Sequence, residues 1–547
     1  MKGKRNRSRE LVFRASVLLA VLSPVSLAGG SRFGGLVAGL DAVRQRLAIP
    51  GCSLAVGYGD GSIETAGLGY ADLEQGLPAT ADTQYHIASL SKGFAALVAL
   101  QLEAEGRLDL AFSMADTARF SDSAVTLRRI LSHTAMRPDA GFRYRSDHFM
   151  QLTPVLESAA RQPWPAMLEE RIFVPLGMTM TVPGREYFPT QHRLVKLARP
   201  YRVTGSEVRS IAMPSPECNA AYGIVSTVRD LVAWSRALDS GRLVSPEQAV
   251  RLFTRNRNQR GDEVPYGLGW FVSDVAGEMI QWHYGWRVPG YGALIVRIPR
   301  RGLTFVILAN SDRLVSDATL AYGNPLRSIF VIEFLRRYLL PGRPDEVFSP
   351  VDPDWQDGEL VGRLSRWTNS QRHLYPEELM ARGLVESRIG NWKNALRLMR
   401  HALELFPDSR GLCDLGTLQT LHWQRQEPFI RAALSLGERL LRNDPADPWV
   451  LQEIALLSRR GNPGDGLRHD LRILGIPWAG AGMREAALGR IAGSGADDPR
   501  LLWRALELFG LSGRIPAGVR KVAGSELDAI RRHAYWLEPL SRMTNWQ

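Results

Sequence analysis

Apolar and polar positions divide the chain into two β-like regions with a helical region between them. Residues 50–70 predict a β-hairpin, because two β-rich runs flank a Gly-Asp-Gly turn signal. Residues 93–105 are apolar nearly all round and are followed by a glycine, which predicts a deeply buried helix. A second predicted hairpin joins Tyr291–Ile298 to Leu303–Ala309. Strands at both ends with helices between them predict an antiparallel sheet assembled from distant segments.

The C-terminal part of the chain has a different pattern. Proline and acidic residues accumulate over residues 341–357, where we predict a linker. Beyond it the strand pattern disappears, and residues 358–547 predict an all-α, repeat-like domain. Small residues and a proline at set positions resemble a tetratricopeptide repeat within residues 374–475, namely Gly383, Ala395, Ala402 and Pro407. A generic helical bundle is the alternative.

Composition is that of an ordinary globular protein with more than one domain. The chain has 547 residues, 45% of them hydrophobic and 23% charged, which excludes disorder and a polytopic membrane fold. Of the net charge of +12, residues 1–28 contribute +5 through six basic and one acidic side chain. No other region concentrates basic residues as phosphate-backbone binding requires. We therefore predict no nucleic-acid partner.

The basic N-terminus precedes a short apolar stretch that ends in small residues. This order predicts a signal peptide over residues 1–28, with an uncleaved signal anchor as the alternative. The apolar stretch is shorter than the roughly 20 residues that a transmembrane helix needs. We expect an exported mature chain, periplasmic or extracellular, with no membrane span.

Cysteine spacing indicates neither a disulfide framework nor a metal site. The three cysteines, Cys52, Cys218 and Cys413, form no C-x-x-C pair, and no His or Cys cluster has zinc spacing. A single Cys52–Cys218 bridge is possible after export, and the sequence leaves it open. We expect no metal and no organic cofactor.

Ser89-x-x-Lys92 is the candidate catalytic motif. Ser89 could simply cap the buried helix, but positions i and i+3 share a helix face, so Lys92 lies beside the Ser89 hydroxyl. Burial and the positive end of the helix dipole would both lower the pKa of Lys92 toward that of a usable base. Arginine supplies 62 of the 68 basic residues. Because arginine cannot serve as a base, a lysine at this position is informative.

Further motifs accompany this pair in a fixed order. They are Tyr85-His-Ile-Ala-Ser89-Leu-Ser-Lys92, Thr126-Leu-Arg-Arg-Ile-Leu-Ser-His-Thr134, Gly223-Ile-Val-Ser-Thr227, Tyr266-Gly-Leu-Gly-Trp270 and His283-Tyr-Gly285. Together they resemble the serine β-lactamase and penicillin-binding-protein family, especially its class C-like and low-molecular-weight peptidase and esterase branch. The resemblance implies an α/β fold over residues 29–340, an antiparallel sheet flanked by helices with a helical subdomain.

The resemblance also implies a role for each matching residue. Ser89 would be the acylated nucleophile and Lys92 its general-base partner. Tyr144-Arg-Ser146 best matches the family's Tyr-x-Asn element, with Tyr144 as a catalytic residue or, alternatively, a plain aromatic anchor. Ser146 would bind substrate, but it lacks the amide of asparagine. That departure puts activity toward amide substrates in doubt.

The family's Lys-Thr-Gly element appears here as a His-x-Gly variant, which resembles certain D-amino-acid peptidases and esterases. His283 would be catalytic, and Gly285 and Trp286 would contact the substrate. By analogy, the backbone N–H groups of Ser89 and Trp286 would form the oxyanion hole. We expect the Trp286 side chain to face the substrate and narrow the pocket.

These features predict an exported serine hydrolase that cleaves a carboxylic ester or amide through a Ser89 acyl-enzyme. Its substrate would be a small molecule or short peptide, such as a small ester, a D-amino-acid peptide or a β-lactam. The alternative is a catalytically idle relative that senses a ligand. In either case, residues 374–475 could offer a surface to a protein partner.

Overall fold

The computed structural model of the chain describes most of residues 31–339 and parts of the remainder. The described residues are 31–339 without 115–124, 136–141, 143, 205–206, 215–216, 260, 316–319 and 322, then 375–389, 448–461 and isolated positions between 391 and 487. The predicted signal peptide, the predicted linker and Cys413 lie outside them. The chain divides into two compact units, Met1–Pro407 and Asp408–Gln547.

The strands of the first unit form one large sheet and two small ones. They are β1 Gly51–Gly57, β2 Ile63–Asp72, β3 Leu77–Pro78, β4 Tyr85–His86, β5 Tyr201–Thr204, β6 Glu207–Ser210, β7 Val225–Ser226, β8 Phe271–Val275, β9 Glu278–Arg287, β10 Tyr291–Ile298 and β11 Leu303–Ala309. The large sheet has seven antiparallel strands in the order β3-β2-β1-β11-β10-β9-β8, and β4 pairs with β7 and β5 with β6.

Both predicted hairpins are confirmed, and pairing of β1 with β11 joins the two ends of the domain. The first hairpin turns where the Asp60 carboxylate accepts hydrogen bonds from the Ser62 N–H and hydroxyl, at 2.8 and 2.6 Å. Gly61 takes a φ of +92°, which favours glycine. The antiparallel sheet predicted from distant segments is therefore present.

Helices cover both faces of this sheet. They are α1 Arg32–Arg46, α2 Ser91–Ala104, α3 Leu127–Leu131, α4 Ser146–Met150, α5 Leu152–Ala160, α6 Trp164–Leu168, α7 Val174–Leu176, α8 Phe188–Gln191, α9 Val228–Asp239, α10 Pro246–Phe253, α11 Ile329–Tyr338 and α12 Tyr375–Arg388. Helices α1 and α11 share one core with alternate residues of β1 and β11, and α2, α5, α6 and α9 share the other. The α/β architecture with a helical subdomain is confirmed.

Helix α2 passes through the second of these cores, as its apolar sequence predicted. It ends at Ala104, and Gly106 just beyond takes a φ of +68°. A Cβ added to Gly93 would lie 2.7 Å from the Trp234 ring, so only glycine allows this close packing. Ser89 does not cap the helix, because Leu90 occupies the N-cap and no side chain caps the end.

The two described cysteines are free thiols in different cores. Cys52 packs on the face that α1 and α11 cover, and Cys218 packs against the core around α2. Burial raises the pKa of each thiol to about 12. The bridge that the sequence left open is therefore not formed in this structure.

Helix α12 packs against α11 within the first unit, whereas the sequence assigned it to a separate domain. Arg336, which is 4% exposed, pairs with Glu333 at 3.0 Å and lies 3.7 Å from Glu378 of α12. A second ion pair of 2.7 Å joins Arg46 to Glu386. Glu378 and Glu386 of α12 thus each reach an arginine of the preceding domain only when α12 is docked.

In the second unit, helix α13 spans Pro448–Gly461. Of the repeat-like positions, Gly383 and Ala395 are buried, while Ala402 and Pro407 lie outside the described residues. The repeat arrangement therefore stays a prediction. None of the helices in the described ranges is long and apolar enough to cross a membrane.

The docked helix generates a stability prediction. Replacement of Glu378 by alanine removes one of the two carboxylates near buried Arg336, which keeps Glu333, and this should lower the free energy of unfolding by about 2 kcal/mol. Glu207→Ala, which breaks an exposed pair with Arg209, should cost under about 1 kcal/mol. Urea unfolding of both variants measures the difference. Equal effects would show that α12 does not dock in solution.

Candidate active site

Ser89 lies in a tight turn between β4 and α2. The turn is a 3-10 helix over Ala88–Leu90, and Ala88 takes a φ of +46°, a left-handed conformation that alanine rarely adopts. Residues on both sides of Ser89 are buried, while Ser89 itself is partly exposed. The strained turn therefore leaves Ser89 partly accessible to solvent between two buried neighbours.

Lys92 lies one turn farther on, with its side chain fully buried. Its Nζ is 2.9 Å from the Ser89 Oγ, 3.0 Å from the Ser146 Oγ and 3.4 Å from the Ala221 carbonyl oxygen. All three partners are neutral, so none offsets the cost of burying an ammonium group. Burial consequently holds the pKa of Lys92 well below its usual value of 10.5.

The carboxylate of Asp147 acts on Lys92 through its charge, but it is paired with another cation. Asp147 forms a two-contact ion pair with Arg145, in which Nε lies 2.8 Å from Oδ1 and Nη2 meets Oδ2. Its charge raises the pKa of Lys92, but this effect is smaller than that of burial. The balance of the two effects therefore favours the free amine of Lys92.

Tyr144 stands beside the pair, as its motif predicted. The Lys92 Nζ lies 4.8 Å from the centre of the Tyr144 ring, and the hydroxyl is buried without a hydrogen-bond partner in the described structure. Burial raises the pKa of Tyr144, and the nearby hydroxyls of Ser89 and Ser146 oppose this effect. The phenol thus keeps its proton and can donate it to an atom that enters the site.

His283 lies close to this group with both ring nitrogens engaged. Its Nδ1 lies 2.7 Å from the Tyr284 carbonyl, which can only accept, so Nδ1 carries the proton. Its Nε2 then accepts a hydrogen bond of 2.9 Å from the Tyr266 hydroxyl. Burial is the main cause that lowers the pKa of His283, to about 3 when Lys92 carries its charge. His283 is neutral here and can exchange a proton only by breaking one of these bonds.

Gly285 and Trp286 point to opposite faces of β9. A Cβ on Gly285 would lie 2.0 Å from the Ile87 carbonyl oxygen, so glycine is what lets the strand pack against the Ser89 turn. The Trp286 indole packs against the core on the α1 and α11 side. The structure thus corrects the expectation that this side chain narrows the pocket from the Ser89 side.

His133 is a residue of the site that the sequence analysis did not select. It takes a φ of +56°, and its Nδ1 accepts a 3.1 Å hydrogen bond from the Arg145 N–H. Its ring centre lies 4.4 Å from that of Tyr144. His133 therefore holds the segment that carries Tyr144 and Ser146. The Ser-His-Thr motif was visible in the sequence, but its contact with this segment was not.

The chain matches the Beta-lactamase family over residues 40–324, more than half of its length, and it belongs to that family. It is thus a serine hydrolase of the β-lactamase and penicillin-binding-protein type. Penicillin-binding protein 4* of Bacillus subtilis (strain 168) is 24% identical to it over 435 residues, which are 70% of this chain and 89% of that protein.

The chain is also similar to two further proteins. Penicillin-binding protein 4 of Amycolatopsis lactamdurans is 24% identical over 370 residues, covering 57% of this chain and 93% of that protein. A crystal structure of the β-lactamase/D-alanine carboxypeptidase from Pseudomonas syringae aligns with 58% of this chain and all of its own, with a TM-score of 0.46 and 20% identity.

The electrostatics of Lys92 predict a pH effect. Asp147→Asn removes the charge that raises the pKa of Lys92, so the pKa falls and the amine stays free in a more acidic medium. The acidic limb of kcat/KM on an activated ester should therefore move to lower pH in this variant. Asp82→Asn, at an exposed carboxylate paired with Lys196, should leave the limb in place. A shift to higher pH for Asp147→Asn would contradict this electrostatic account.

Proposed function

We propose that the protein is an exported serine hydrolase that cleaves a carboxylic ester or amide through an acyl-enzyme on Ser89. The 2.9 Å contact between Lys92 Nζ and Ser89 Oγ is the observation that carries the proposal. A buried lysine with neutral partners favours the uncharged amine, which can accept the serine proton.

Each half of the reaction uses the same proton path. The Lys92 amine takes the hydroxyl proton while Ser89 Oγ bonds to the carbonyl carbon, whose π electrons move to oxygen. Collapse of this oxyanion expels the leaving group, which receives the proton through the ammonium of Lys92 or the hydroxyl of Tyr144. Water then attacks the acyl-enzyme along the same path and releases the acid and Ser89.

The backbone N–H groups of Ser89 and Trp286 are the proposed oxyanion hole. Close packing of Gly285 against Ile87 supports this proposal, because it holds β9 beside the Ser89 turn. Strand β8 pairs with β9 only up to Trp282. Beyond that residue β9 has an open edge among the described residues, which an extended acyl chain or peptide could pair with.

Esters are the proposed preferred substrates within this branch of the family. The Ser146 hydroxyl accepts a hydrogen bond from Lys92 and offers no amide to a substrate. His283 is neutral, and so it brings no positive charge to the carboxylate of a β-lactam. An activated ester needs neither group.

A catalytically idle ligand sensor is the competing function. Such a protein would not need an unpaired lysine next to a serine, since burying that amine without an acid lowers stability. The presence of Lys92 in this environment therefore favours catalysis. We also propose export by residues 1–28 and a tetratricopeptide-like surface for a protein partner over residues 374–475.

Covalent labelling tests the nucleophile. A fluorophosphonate probe should add to the protein once, and peptide mass spectrometry should place the adduct on Ser89. Ser89→Ala should abolish the adduct, whereas Ser91→Ala should retain it, because Ser91 is fully buried in α2. Labelling that persists in Ser89→Ala would refute the assignment.

Substrate preference has its own test. We expect kcat/KM on 4-nitrophenyl acetate to exceed that on nitrocefin at least tenfold, because the groups that would hold a lactam are replaced. Ser146→Asn, which restores an amide, should reduce the ratio of kcat/KM on 4-nitrophenyl acetate to kcat/KM on nitrocefin. Comparable values for the two substrates in the unchanged protein would contradict the preference for esters.

A further inference from the structure

We propose that Arg287, Arg185 and His86 form an anion-binding subsite that recognises a carboxylate on the substrate, at the end of β9 away from His283. The inference rests on the proposed hydrolase function and adds a substrate class to it. The substrates would be esters or amides whose acyl part carries an acidic group some distance from the bond that is cleaved.

Arg287 and His86 meet on the sheet face that carries the Ser89 turn, and Arg185 is close enough for its charge to act on both His86 and Tyr291. Arg287 lies opposite Tyr291 in the β9–β10 register, so the two side chains share a face. Because side chains alternate along a strand, this is also the face of Gly285, which packs against Ile87. The Tyr291 ring centre lies 5.1 Å from that of His86, three residues before Ser89.

Two buried polar atoms in this group lack partners in the described structure. They are His86 Nε2, on a side chain that is 4% exposed, and Arg185 Nε. Buried polar groups in proteins are nearly always hydrogen-bonded. An acceptor that arrives with a ligand would satisfy both atoms, and an oxyanion is the ligand that offers several acceptors at once.

The charge balance of the group is positive. Burial, together with the charges of Arg185 and Arg287, lowers the pKa of His86 to about 3, so His86 is neutral and can donate one hydrogen bond. Arg287 makes no ion pair with a described residue and lies against the Tyr222 ring, 6.0 Å from its centre. Tyr222 directly follows Ala221, whose carbonyl contacts Lys92. The positive group therefore borders the catalytic cleft.

Nearby carboxylates do not occupy this position. Glu217 accepts hydrogen bonds from the Tyr222 hydroxyl and the Asn219 amide, at 3.1 and 2.7 Å. Glu186 lies 3.9 Å from Arg185 Nη2, beyond hydrogen-bond distance, and that nitrogen donates to the Pro214 carbonyl. Among the described residues Arg287 thus has no ion pair, and an incoming carboxylate would compete with Glu186 only for Arg185.

The position along β9 sets the expected substrate length. Arg287 directly follows Trp286, whose N–H is a proposed oxyanion-hole donor, so the reach of the arginine side chain sets the distance between its guanidinium and the scissile carbonyl. The acidic group should accordingly lie several bonds from the scissile carbonyl. The monoanion mono(4-nitrophenyl) suberate has this layout, and its methyl ester is the neutral match of equal length.

Kinetics on this substrate pair tests the subsite. The unchanged protein should favour the monoanion, and Arg287→Gln should lower its kcat/KM at least tenfold more than that of the methyl ester. Arg300→Gln removes an exposed arginine at the other end of β10 and should not change the ratio. Equal losses on both substrates, or none for Arg287→Gln, would overturn the proposal.

A binding measurement keeps this inference separate from the proposed function. Calorimetric titration of Ser89→Ala with monomethyl suberate should show binding, and addition of Arg287→Gln should weaken it at least tenfold. This outcome would support the subsite even if no ester is hydrolysed. Equal affinity with and without Arg287, or absence of binding in both, would refute the subsite even if ester hydrolysis is found.

Discussion

The hydrogen bond between Lys92 and Ser89 depends on a lysine that is buried without an acidic partner. Among the described residues, every oxygen within hydrogen-bond distance of Nζ belongs to a hydroxyl or a backbone carbonyl. Asp147, whose charge acts on Lys92, is paired with Arg145. Since an ammonium group in this setting would remain unpaired, the side chain favours the free amine. Because the free amine can accept the proton of Ser89, the absence of a nearby negative charge is what supports Ser89 as the proposed nucleophile.

The surrounding fold maintains this arrangement at some cost. Helix α2 contributes apolar contacts along nearly its whole length, which offset the burial of one amine. Ala88 and His133 both adopt left-handed conformations next to the site, and each costs of order 1–3 kcal/mol. Gly285 lets β9 approach the turn. Strain and close packing thus hold Ser89, Lys92 and Tyr144 in one place.

Local patterns predicted much of this from the sequence. Both hairpins, the buried helix α2 and the pairing of Ser89 with Lys92 depend on residues close together in the chain, and the structure confirms them. Contacts between residues far apart in the chain could not be predicted from the sequence. Three features arise only from the folded topology. They are the hydrogen bond from Tyr266 to His283, the side of the sheet on which Trp286 lies, and the ion pair between Arg46 and a residue 340 positions away.

Direct titration of Lys92 tests the central claim. The chain has six lysines, so selective carbon-13 labelling at Cε gives a spectrum simple enough to follow against pH. Lys92→Arg assigns the signal by removing it. We expect this one signal to titrate well below 10.5, the usual value of a lysine. Titration of Lys92 together with the other lysines would contradict the account.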